Sequence, residues 1–182
     1  NIGVVGYEAD DCIGTIAKNM CATHSINILT GDQDMLQLIE DHISVTLLKK
    51  GYGNYEVHNE TTFFEWKGIK PQQMVDLKGL MGDTADNYPG VKGIGEKTAI
   101  KLLQQYGSID SILENLHALT ATQRRKIEES LDMLHMSREL AAIHCEVPLQ
   151  FNIDEALLQF DLNKVSDMIQ EHELKGLYSK FL

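Results

Sequence analysis

Apolar residues recur at Ala9, Cys12, Ile13, Ile16, Ala17 and Met20. That spacing, near 3.6 residues, predicts an amphipathic helix over 9–24. Ile26 to Leu29 is a short apolar run suited to a buried strand, and it stops at Thr30-Gly31-Asp32-Gln33-Asp34. Met35, Leu36 and Ile39 suit a short helix, Ile43 to Leu48 a second strand, Gly51 to Asn54 a turn, and Tyr55 to Val57 a segment able to pair back. Strands alternating with helices predict an α/β sheet.

After Thr61 the pattern turns helical. A short helix is predicted over Thr62 to Trp66. Pro71 fits the first turn of the next, which carries Met74, Val75, Leu77 and Leu80. A glycine-rich loop from Gly82 to Gly95 separates it from a helix over Glu96 to Tyr106. Ser108 caps a helix to about Leu116. A long helix over Thr122 to Ala142 and another over Leu162 to Glu173 complete the pattern. The expected fold class is α/β, a partial and mostly parallel sheet with flanking helices, followed by an all-helical subdomain. The expected divisions are 1–70, 71–150 and a C-terminal helical segment 151–182.

Composition adds little to this picture: 43% apolar and 24% charged residues are ordinary for a globular chain. No apolar run is long enough to span a bilayer. Cys12, Cys21 and Cys145 are odd in number and lack zinc or CxxC spacing, so they read as reduced thiols of a cytoplasmic protein. His24, His42 and His144 show no ligand spacing. The net charge of −11 argues against a phosphate-binding surface. Its distribution changes that reading, because the acids cluster, and acids that hold metal ions reverse the local charge.

Three acidic motifs stand out. Gly6-Tyr7-Glu8-Ala9-Asp10-Asp11 opens a helix, where one or two acids would complement the helix dipole. Thr30-Gly31-Asp32-Gln33-Asp34 follows a strand, where ligand sites of open α/β sheets lie. Helix capping by Asp32 is the plainer account of it. Gly82-Asp83-Thr84-Ala85-Asp86-Asn87 would place Asp83 and Asp86 on one face of a helical turn, or form a simple polar turn. Two bare carboxylates about 4 Å apart repel by roughly 4 kcal/mol at an effective dielectric near 20. Gathering Glu8, Asp10, Asp11, Asp32, Asp34, Asp83 and Asp86 therefore calls for cations. All-carboxylate donors suit Mg²⁺ or Mn²⁺, and a pair of such ions can hydrolyse a phosphodiester.

The segment Gly90-Val91-Lys92-Gly93-Ile94-Gly95-Glu96-Lys97-Thr98-Ala99 sets a glycine hairpin before a helix. Glycines let the backbone approach a phosphate, and amides at the helix start face the anion. Lys92, Lys97 and Lys101 add positive charge. The pattern suits a helix–hairpin–helix that grips the DNA backbone without reading bases.

GYEADD, TGDQD, GDTADNYPGVKGIGEKTA and LLQQYGS together resemble the 5′→3′ exonuclease and flap endonuclease superfamily, in its bacterial branch with the exonuclease domains of DNA polymerase I and their stand-alone relatives. The resemblance runs in order from Gly6 to about Leu149. It implies that the seven acids form two metal sites. It implies DNA contacts from Gly90, Val91, Lys92, Gly93, Ile94, Gly95, Lys97 and Thr98, and K⁺ held by the carbonyls of Val91 and Ile94. The implied substrate is a DNA 5′ end or flap at a single-strand to double-strand junction, and a covalently linked polymerase domain is an implied partner. The family domain also has a first strand with a metal-binding Asp and a helical arch bearing another Asp and basic residues. Both are expected upstream of Asn1, so these 182 residues alone are expected to cleave poorly. The rival expectation is a non-catalytic module that binds branched DNA through the hairpin alone. A carboxylate nuclease acting on RNA is a third, against which the hairpin speaks.

Overall fold

A computed structural model of the chain describes residues 1–51, 53–158 and 161–177. Residues 1–149 form one compact unit and 150–182 a second. The first begins with helix α1 (Ala9–Met20) and strand β1 (Ile26–Thr30). A 3₁₀ turn over Asp34–Leu38 leads to β2 (Ile43–Leu48) and β3 (Tyr55–His58). The sheet order is β1-β2-β3, with β1 and β2 parallel and β2 and β3 antiparallel. Tyr55 to His58 thus pairs back on β2, bringing Val57 opposite Thr46. Tyr52, within the expected turn, lies outside the described residues.

Local sequence sets the helix ends. α2 (Glu60–Lys67) is longer than the apolar pattern suggests, because Asn59 accepts the Thr62 amide at one end and Gly68, at φ 72°, stops it at the other. α3 (Met74–Met81) follows a 3₁₀ turn begun by Pro71. α4 (Glu96–Tyr106) and α5 (Ile109–Glu114) come next, with Ser108 capping α5. The long helix expected over 122–142 is two, α6 (Ala121–Glu128) and α7 (Leu131–Ala141). The chain bends at Glu129–Ser130, which lets α7 lie along α3 while Ile127 and Leu134 enter the same core. In the second unit, α8 (Leu162–Glu171) is capped by Asp161 and ends two residues before the expected Glu173. The tail beyond Leu177 lies outside the described residues.

The core runs without interruption from the sheet into the helices. Met35, Leu36, Ile39, Val45 and Leu47 join Phe63, Leu77, Leu80, Leu103 and Ile109, all at most 2% exposed. α3 is its spine: Met74, Asp76, Leu77, Lys78, Gly79 and Leu80 are all buried. A Cβ at Gly79 would stand 3.1 Å from the Arg138 side chain, so α7 packs tightly against α3 there.

Two charged groups on α3 are buried with partners. Asp76 accepts the Ile109 amide at 3.1 Å and pairs with Arg138 Nε at 2.7 Å. Burial raises its carboxyl above the ordinary range, against the pull of that amide and of Arg138. Arg138 reaches on to the exposed Asp110 at 2.9 Å. Asp76→Ala strands the Ile109 amide and one face of Arg138, and is expected to cost about 2–3 kcal/mol in urea denaturation. Asp110→Ala should leave stability almost unchanged, since its pair faces water.

Candidate metal centre

The acidic motifs meet at one end of the sheet. β1 delivers the chain to Asp32, whose amide donates to Thr30 Oγ1 at 3.0 Å. Asp32 Oδ1 in turn accepts the Asp34 amide at 2.9 Å, so a side-chain turn fixes both acids at the strand's carboxyl end. The second contribution comes from the loop after α3. Asp83 and Tyr88 exchange backbone hydrogen bonds of 2.9 and 3.0 Å, closing the loop into a tight ring, and Asp83 Oδ1 accepts the Ala85 amide at 2.8 Å. The pair Asp83 and Asp86 is therefore presented by a pinned loop rather than by the helical turn their spacing suggests.

Asp34, Asp83 and Asp86 each offer an oxygen, and these oxygens lie within 4.8 Å of one another. This all-oxygen donor set fits a hard divalent ion. Glu8 and Asp10, at the start of α1, line a neighbouring cavity with Asp32, Asp34, Asp86 and Tyr88. A larger cavity of about 580 Å³ opens beside them, with Asp32, Asp34, Asp83 and Asp86 on one wall and Lys67 and Glu96 also in its lining. Six of the seven acids thus line two cavities that share Asp32, Asp34 and Asp86. Asp11 is used differently: Oδ2 accepts the Glu8 amide at 3.1 Å and Oδ1 accepts the His144 amide at 2.9 Å. It fixes the start of α1 and ties residue 144 to it.

Lys78 is the residue that spacing arguments missed. Its ammonium hydrogen-bonds Asp34 and lies 2.7 Å from Asp83 Oδ2 and 3.8 Å from Asp86 Oδ2. Burial opposes its charge, yet hydrogen bonds to Asp34 and Asp83 push its pKa well above the ordinary lysine value. Burial raises Asp34 above the carboxylate range in spite of Lys78. Burial also opposes ionised Asp83, but Lys78 and the Ala85 amide hold it below that range. Asp10 is raised by burial first and then by Asp32, Glu8 and Asp34. Burial pushes the Tyr88 hydroxyl up to about 12 against the pull of Lys78, so it stays protonated at neutral pH. The available signal for Lys78 was a basic residue within the apolar run Met74-Val75-Asp76-Leu77-Lys78-Gly79-Leu80-Met81.

The hairpin stands directly behind the loop. Val91 and Ile94 point into the core, at 1% and 3% exposure, while Lys92, Gly93, Gly95 and Lys97 face solvent. The Val91 amide donates to Leu80 at 2.9 Å and the Ile94 amide to Val91 at 3.0 Å. Gly95 precedes α4, and its carbonyl accepts the amides of Thr98 and Ala99. Two side chains outside the motif hold it: Ser137, fully buried on α7, accepts the Gly90 amide at 2.9 Å, and Lys126 donates to the Gly93 carbonyl at 2.7 Å. Gly90, at φ 59°, has no room for a Cβ, which would stand 2.1 Å from the Gly82 nitrogen.

The acids thus stand at the carboxyl end of β1, and the glycine hairpin that follows Asp86 leads into α4. Residues 1–68 match the 5′-3′ exonuclease N-terminal resolvase-like domain, and residues 69–165 match the 5′-3′ exonuclease C-terminal SAM fold. The chain belongs to the 5′-3′ exonuclease family. A 5′-3′ exonuclease of Bacillus subtilis is 51% identical over 177 residues, covering 97% of this chain and 60% of that protein. DNA polymerase I of Bacillus caldotenax is 38% identical over 96% of this chain and 20% of its own length. The chain thus spans less than two thirds of these relatives. The solved structure of T5 5′-exonuclease with bound zinc has the same fold, with a TM-score of 0.69 at 23% identity over 79% of this chain and 52% of that one.

Ser137→Ala leaves the buried Gly90 amide without an acceptor. It is expected to cost about 1–3 kcal/mol in chemical denaturation and to speed hydrogen exchange at Gly90.

Proposed function

We propose that this chain carries part of the active site of a nuclease that hydrolyses phosphodiesters at DNA 5′ ends or flaps. The observation that supports this best is the convergence of three separate acidic motifs on two cavities with shared lining acids, with the hairpin beginning four residues after Asp86. Glu8, Asp10, Asp32, Asp34, Asp83 and Asp86 are the proposed ligands of two divalent ions, Mg²⁺ or Mn²⁺. Asp11 is proposed to position Glu8 rather than to ligate alone. Bound ions would supply an activated water and stabilise the leaving oxygen.

The protein's own part is binding and orientation. The exposed glycines and amides of 90–98, with Lys92 and Lys97, are proposed to hold the duplex backbone. The carbonyls of Val91 and Ile94 are the proposed K⁺ ligands, and an ion held there would supply positive charge for binding a phosphate. The 51% identity to a 5′-3′ exonuclease and the polymerase I relatives favour a DNA substrate in replication or repair, and they leave room for a linked polymerase.

In the complete protein, Asp83→Asn should lower Mg²⁺-dependent cleavage of a 5′-flap substrate by about 100-fold or more while leaving flap binding measurable. EDTA should abolish cleavage of the unaltered protein. Binding that persists with no cleavage by the unaltered protein in either Mg²⁺ or Mn²⁺ would instead establish a non-catalytic DNA-binding module. Lys97→Ala should weaken binding to all sequences alike and flatten the salt dependence by about one counterion. The raised carboxyls of Asp10 and Asp34 bind protons above the ordinary range. Protons therefore compete with metal first at those two residues, and Mn²⁺ affinity should begin to fall, as pH is lowered, before ordinary carboxylates titrate.

A further inference from the structure

α3 carries the Lys78 side chain, only 8% exposed, into the space between Asp34, Asp83 and Asp86. Its ammonium is hydrogen-bonded to Asp34, stands 2.7 Å from Asp83 Oδ2 and stands 3.8 Å from Asp86 Oδ2. These three carboxylates are the same group whose oxygens converge within 4.8 Å. A divalent ion and an ammonium draw on the same three carboxylates, and they repel each other at contact distance. Occupancy by one therefore opposes occupancy by the other.

We propose that Lys78 is a tethered counter-ion of the Asp34–Asp83–Asp86 group, and that a divalent ion enters this group only by displacing it. The inference rests on the metal-centre reading above. Loading is then an exchange of cations. The ammonium holds the acids together before the ion arrives, and the ion's net affinity is lowered by the contacts it must break. Other cations do not take this role among the described residues: Lys67 is paired with Glu96 at 2.6 Å, and Lys18 with Glu40 at 2.5 Å. Lys78 also sits on a helix buried within the core, so the exchange moves a side chain and not the backbone that carries it.

Mn²⁺ titration of the chain, followed by calorimetry, separates the possibilities. Lys78→Met should bind Mn²⁺ about tenfold or more tightly than the unaltered chain, because no tethered charge competes. Its melting temperature in EDTA should fall below that of the unaltered chain, while its gain on adding Mn²⁺ should be larger. Lys78→Arg should keep the weaker Mn²⁺ affinity. A second measurement needs no variant: an amine-acylating reagent followed by peptide mass spectrometry should find Lys78 protected in EDTA and reactive in Mn²⁺. Equal or weaker Mn²⁺ binding by Lys78→Met, or equal protection of Lys78 in both conditions, would overturn the exchange while leaving the metal centre intact. If neither the unaltered chain nor Lys78→Met binds Mn²⁺, the metal-centre reading itself fails, and the exchange with it.

Discussion

Mutual repulsion among carboxylates is the constraint around which this structure is arranged. Six acids from three separate motifs line two neighbouring cavities at one end of the sheet, and burial raises Asp10 and Asp34 against ionisation. Such a gathering persists only where rigid backbone prevents the acids from moving apart and positive charge reaches them. The backbone is fixed by short hydrogen-bonded turns, Asp32 to Asp34 on one side and Asp83 to Tyr88 on the other. The positive charge arrives from below, on α3. That explains why a helix in the middle of the core carries a buried lysine at all: an ammonium at this depth is tolerable only because carboxylates surround it.

The same helix connects the two halves. Its Met74 and Leu77 enter the common core, it packs on the 3₁₀ turn over Asp34–Leu38, and its side chains Asp76 and Lys78 reach different partners. Asp76 fixes α5 and α7, while Lys78 serves the acids. α7 repays the contact through Ser137, which reaches the first residue of the hairpin. Acidic group, hairpin and core are therefore not separate modules laid side by side. A change in the packing of α3 on α7 is felt at both places.

Much of this was legible in the sequence because it depends on local chemistry. Periodicity located α1, α4 and the strands, and the three acidic motifs and the glycine hairpin are contiguous strings. What escaped depends on contacts across long stretches of chain. Helix periodicity alone did not reveal the bend at Glu129–Ser130, because Ile127 and Leu134 keep a helical spacing across it. The diversion of Asp11 to the His144 amide joins residues 133 positions apart, and the Ser137 anchor of Gly90 joins residues 47 apart. Lys78 was hidden for another reason. A lysine in an apolar run reads as a solvent-facing position, and only the folded positions of Asp34, Asp83 and Asp86 give it partners.

Gly82 and Gly90 have a consequence of their own. Their backbones pass so close that neither has space for a side chain, and between them hangs the loop bearing Asp83 and Asp86. This neck holds the base of the acidic loop against the first residue of the hairpin, so the part that would hold a strand and part of what would act on it meet at one point. On the proposed reading, the protein carries a built-in ruler. The distance along the nucleic acid from the gripped phosphate to the reacting one would be set in part by two touching glycines.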